Sequence, residues 1–116
     1  MLTEQQQNTV DRDERSLAIA HTICHQLGGQ GRLKCMIGAK AFAVVENGLS
    51  FKFPREGPDG YKVNYVKITL NGLDLYDVEF GYIHGGNYKV VTKHENAYCD
   101  SLEDLFYNAT GLYLSL

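Results

Sequence analysis

The sequence predicts an α+β fold: an antiparallel β-meander of about five strands, with one N-terminal and one C-terminal helix covering one face. Three observations predict it. Leu17, Ala20, Ile23, Cys24 and Leu27 recur three and four residues apart, the spacing of a helix with one buried stripe. The middle of the chain changes to alternation, as in Leu49-Ser50-Phe51-Lys52-Phe53 and Val66-Lys67-Ile68-Thr69-Leu70, the period of a strand with one wet face. Helical spacing returns near the end, at Leu102, Leu105, Phe106 and Ala109.

Each element follows in order. Residues 1–12 are rich in Gln, Asn, Asp and Glu, bury little, and read as a flexible polar arm; residues 13–116 read as one domain. The first helix runs from Asp13 to Leu27, capped by Asp11 or Asp13 and stopped by Gly28 and Gly29. Arg32 to Ile37 reads as a strand with Leu33, Cys35 and Ile37 on one face. Ala41 to Glu46 is a short apolar run that fits either a strand or a helical turn. Asn47-Gly48 signals a hairpin turn before Leu49 to Phe53. Pro54 to Gly60 holds both prolines and reads as an exposed loop. Strands then span Tyr61 to Leu70, Leu75 to Ile83 and Tyr88 to Lys93, with turns at Asn71-Gly72 and Gly85-Gly86-Asn87. Tyr76, Val78, Phe80 and Tyr82 share the inner face. The last helix covers Ser101 to Ala109, with Asp100 or Ser101 as its cap and Gly111 as its stop. The tail from Leu112 to Leu116 is apolar enough to pack on the sheet or the first helix.

Composition narrows the function class. The chain has 116 residues, a net charge of −3 and 44% hydrophobic residues, as expected of one globular domain. A mild acidic excess argues against a general nucleic-acid coat. No apolar run is long enough to span a bilayer, so no membrane partner is expected. Cys24, Cys35 and Cys99 are too few and too scattered for a disulfide framework, and Cys24 and Cys35 read as buried free thiols. The polar N-terminus lacks the apolar core of a secretory signal, which points to the reducing cytoplasm.

No catalytic residue and no cofactor are assigned. His21, Cys24 and His25 lie within one helical turn, but Cys24 points to the apolar stripe while His25 sits about 100° further round, so no metal site is expected. Gly28-Gly29-Gln30-Gly31 follows a helix instead of opening one, the reverse of a phosphate loop. The candidate binding residues are His84, Tyr65, Lys67, Lys52, Lys89 and Lys40. His84 stands beside two glycines in a turn, where a ligand or proton acceptor would be accessible. An enzyme reading would centre on it, with Asp77 or Glu79 nearby. Lys40 follows Gly38-Ala39 and could meet an anion. Lys52, Lys67, Asp77, Glu79, Lys89 and Lys93 fall on the expected polar sheet face, where cross-strand ion pairing is the plain reading. With Tyr65, the same lysines could form a stacking and phosphate platform. The abundance of tyrosine also suits a protein interface. An unpaired sheet edge and the apolar tail would allow a dimer.

Three stretches carry a family likeness: Met36-Ile37-Gly38-Ala39-Lys40-Ala41-Phe42; Tyr65-Val66-Lys67-Ile68-Thr69-Leu70-Asn71 through Tyr76-Asp77-Val78-Glu79-Phe80-Gly81; and Thr110-Gly111-Leu112-Tyr113-Leu114-Ser115-Leu116. With them the chain resembles small accessory proteins encoded by bacteriophages and prophages. The resemblance implies origin and carries over no catalytic residue. Small size, the supply of tyrosine, mild acidity and the absence of a catalytic signature favour a non-enzymatic protein that binds a host or phage protein in the host cytoplasm; a host defence component as that partner is an analogy with other small phage accessory proteins. The alternative is a nucleic acid or nucleotide bound on the Lys/Tyr face.

Overall fold

The computed structural model describes residues 4–54, 63–112 and 114, with side chains from residue 14 onward. The first helix, α1, spans Glu4–Gln26, so Asp11 and Asp13 lie inside it instead of capping it. Glu and Gln are good helix formers; polarity limits burial but does not oppose a helix. Gly28 and Gly29 end α1 with φ of 107° and 90°. Their amides donate to the His25 and Cys24 carbonyls at 3.0 and 2.9 Å, a Schellman closure that glycine adopts without steric cost.

A second helix, α2, follows at Gln30–Ile37, where alternation predicted a strand. The reason is a degeneracy of spacing. Leu33 and Ile37 are four residues apart, which is two strand periods and also one helical turn, so both readings place them on one face. Cys35 separates the readings: a strand would bury it beside them, yet it is exposed while Leu33 and Ile37 are buried.

Five strands form one antiparallel sheet in chain order: β1 (Lys40–Val45), β2 (Gly48–Lys52), β3 (Tyr65–Leu70), β4 (Tyr76–His84) and β5 (Asn87–Ala97). The ambiguous run after Gly38 is therefore a strand. The first hairpin turns on Glu46 and Asn47, with Asn47 at φ 58°; Gly48 already pairs with Thr69 in the next strand. The buried Ser16 hydroxyl of α1 accepts the Asn47 amide at 2.9 Å and ties the helix to this turn. Most of the expected loop from Pro54 to Gly60 lies outside the described residues. The turn after β3 is organised by Asn71, whose side-chain oxygen accepts the Leu73 and Leu75 amides, a local bond typical of Asn in turns.

A 3-10 turn at Cys99–Ser101 leads into α3, Leu102–Thr110. The expected side-chain cap is not made; Glu103 and Asp104 in the first turn are the acidic groups that favour the helix dipole. Gly111, left-handed at φ 74°, ends α3. The helices pack on one face of the sheet. Ile23 of α1, Leu27 just beyond it, Leu33 of α2, and Leu102 and Phe106 of α3 meet Leu49, Phe51, Phe53, Val66, Ile68, Val78 and Phe80 in a single core. Phe106 is its centre, with ring centroids 5.1, 5.8 and 6.4 Å from Phe53, Phe80 and Phe51. Burying each such ring contributes on the order of 1.5–3 kcal/mol. Leu114 is buried in the core and Leu112 packs against it, so these two tail residues pack as expected.

Candidate functional site on the open sheet face

The packing of all the helices on one side leaves the opposite face of the sheet uncovered among the described residues. Strand register decides which side chains share it. Lys52 stands opposite both Lys40 and Tyr65, Ser50 opposite Lys67, and Lys67 opposite Glu79. Glu79 in turn stands opposite Lys93. Four predicted residues are thus brought together: Tyr65, Lys67, Lys52 and Lys40.

Glu79 is the hub of this face. Its carboxylate oxygens lie 3.9 Å from the Lys67 and the Lys93 ammonium nitrogens. It also accepts a 2.6 Å hydrogen bond from the Tyr88 hydroxyl. The Tyr88 ring reaches this position by lying over Gly81, where any Cβ would collide with it. It meets Tyr65 edge-on, with centroids 5.3 Å apart and planes at 79°, a favoured aromatic geometry. Burial is the main cause that pushes the Tyr88 phenol well above its ordinary range; the hydrogen bond and charge of Glu79, then Tyr65, push the same way. Asp77, on the same face, is held by the Asn71 amide at 3.0 Å and the Asn96 backbone at 3.1 Å.

Lys89 and His84 are not part of this face, which corrects the placement of Lys89. A β-bulge is the cause. Val90 stands opposite Gly81 and Thr92 opposite Phe80, so Val91 is the extra residue. The bulge puts Lys89 opposite Tyr82, on the helix side of the sheet. His84, exposed at the strand end, stacks on the Tyr82 ring with centroids 5.9 Å apart. It lies five residues along β4 from Glu79, roughly 16 Å, so His84 has no acidic partner in Asp77 or Glu79.

Counting back from the Gly85-Gly86 turn would have paired Glu79 with Thr92 and sent Lys93 to the other face. The sequence nevertheless expects Glu79 and Lys93 on one face; the bulge is what makes them direct neighbours, and it also brings Tyr88 to that face and turns Lys89 away, which the spacing of β5 alone does not show. The H-x-x-C-H stretch lies along a groove between α1 and β1. Among the described residues, no group of three His, Cys, Asp or Glu is placed to hold a metal ion. Two thiols depart from expectation: Cys24 is half-buried, its pKa raised by burial, and Cys35 is exposed; Cys99 is exposed as well. No helix of the described residues is long and apolar enough to cross a membrane. Compared with known proteins, the chain matches no family model, no curated protein and no solved structure.

Proposed function

We propose that the chain is a non-enzymatic binding protein whose contact surface is the open sheet face centred on Tyr65 and Tyr88. The observation that carries this reading is the tyrosine pair itself. Two rings stand locked against each other on an uncovered face, one of them 45% exposed and anchored by Glu79. Such a pair presents large area with little side-chain entropy left to lose on binding. The charges around it favour a protein over a phosphate backbone. Lys67 and Lys93 already share Glu79, and a phosphate would have to displace or repel that carboxylate. The likeness to phage accessory proteins makes a host or phage protein the partner class, with a host defence component as the specific case.

The test places a photo-crosslinking residue at Lys52 and, as a control, at Leu73 on the far turn. A partner crosslinked from Lys52 and not from Leu73 is expected, and the purified partner should bind Tyr88→Ala at least about tenfold more weakly. Equal yield from both sites, or unchanged binding by a folded Tyr65→Ala/Tyr88→Ala protein, overturns the reading. Binding of a single-stranded oligonucleotide that weakens steeply with salt would replace it by the nucleic-acid alternative.

A further inference from the structure

One row across the open face differs from its neighbour. Lys40, Lys52, Tyr65, Gly81 and Val90 are successive cross-strand partners from β1 to β5. The Tyr88 ring lies over Gly81, so the row presents a pair of lysines, then a pair of tyrosine rings, then a valine. Lys40, Lys52, Tyr88 and Val90 are all exposed. The next row, Ser50, Lys67, Glu79 and Lys93, carries its own counter-ion, because Glu79 stands between both of its lysines. Lys40 and Lys52 have no acidic partner among the described residues.

The backbone is distorted to bring these lysines together. The Phe42 ring lies 5.2 Å from that of the buried Phe51, so Phe42 faces the helices. Regular alternation would place Lys40, two residues earlier, on the same side. Instead Ala41 takes a left-handed φ of 54° and the register shifts between Lys40 and Ala43, which turns Lys40 to the open face beside Lys52. Left-handed backbone is disfavoured for alanine, and like charges directly opposite each other on paired strands repel. Strained backbone of this kind clusters at sites that hold a ligand. The repulsion becomes attraction when one anion sits between the two ammonium groups.

Resting on the reading of this face as a protein-binding surface, we infer that the partner meets it with an acidic segment laid across the strands. Its carboxylates meet Lys40 and Lys52, and an apolar side chain covers Tyr65, Tyr88 and Val90. The sheet sets the distance between the two features. From midway between β1 and β2 to the ring over β4 is about 12 Å, two and a half strand spacings, which an extended chain covers in about four residues. A nucleic-acid strand fits this row less well. It carries a charge on every nucleotide, whereas the unpaired positive charge is confined to the β1 end, and the Glu79 carboxylate stands against Tyr88.

The probe is a fluorescent synthetic peptide in which a glycine-serine spacer places a tryptophan about four residues after a pair of aspartates; its control has lysines in place of the aspartates. Anisotropy measures binding to the full chain and amide NMR shifts locate it. The acidic peptide is expected to shift Lys40, Lys52, Tyr65 and Val90 and to bind about tenfold more tightly than the basic one at low salt. Lys40→Gln/Lys52→Gln should abolish both that preference and the salt dependence, without lowering the thermal midpoint of the free protein. Tyr88→Ala separates this inference from the reading it rests on. A peptide that needs Tyr88 yet binds the lysine variant as well as the wild type leaves the face in place and overturns the acidic segment. Binding that needs the lysines and ignores Tyr88 counts against the tyrosine-centred face itself. No binding of either peptide in the millimolar range, or tighter binding of oligothymidylate than of the acidic peptide, overturns the inference. So do shifts of the same amides on diluting the protein alone, which would assign the row to a second copy.

Discussion

Tyr88 shows how one side chain links the sheet face to pH. Burial and the neighbouring Glu79 favour its neutral phenol in the folded protein. An acid whose folded pKa is raised binds more protons folded than unfolded at high pH, so its contribution to stability is full below the ordinary phenol value near 10 and is lost as pH rises through the folded value. Thermal unfolding across the alkaline range should therefore show a fall that Tyr88→Phe makes shallower. Tyr76 contributes in the same direction, because burial also raises its phenol although its hydrogen bond to Gln26 acts the opposite way. If Tyr88→Phe leaves the alkaline slope unchanged, the Tyr88–Glu79 bond is not formed in solution. Much of this site was legible at the residue scale: Tyr65, Lys67 and Lys52 were placed on one face by alternation alone. Glu79 and Lys93 were expected on it too, but the Tyr88 bond to Glu79 was not, because a bulge decides which residues of β5 share the face.

At the scale of elements, two glycines do different work. A Cβ on Gly48 would run into the Ile68 carbonyl and the Thr69 backbone, where β2 and β3 approach closely. Backbone cannot rotate away as a side chain can. Gly48→Ala is expected to cost about 1–3 kcal/mol, read from chemical denaturation. A Cβ on Gly81 would meet only the Tyr88 ring. Gly81→Ala should cost less and should instead displace Tyr88, which lowers its phenol pKa toward the free value in an ultraviolet titration. Equal losses of stability, with Tyr88 unmoved, would contradict this division. The faces of β2, β3 and the first half of β4 follow alternation as expected. α2 does not, because a pair of apolar residues four apart satisfies a strand and a helix equally.

The whole molecule is a meander whose middle strands have partners on both sides and whose outer strands do not. Local opening is easiest where backbone bonds are exposed. Amide exchange should be slowest in β3 and in β4 from Val78 to Phe80, and faster in β5, which has an open edge and two bulges. β1, the other outer strand, should exchange faster than β3 for the same reason. Uniform protection across all five strands would mean that the sheet opens only as a unit.

The sequence by itself determined the fold class, the amphipathic helices near both ends, the positions of most strands and the side of the sheet that each residue of β2 and β3 faces. These follow from local periodicity and from glycine at turns, which need no knowledge of neighbours. The tertiary structure decided the helical state of Gln30–Ile37, the burial of Ser50 between Ala43 and Lys67 in register, the bulge at Val91 and the gathering of Lys67, Lys93 and Tyr88 on Glu79. Each of those depends on a contact between segments distant in the chain. A single added residue in one strand moves every later side chain to the other face, and nothing in the spacing of that strand alone records where its partner stands.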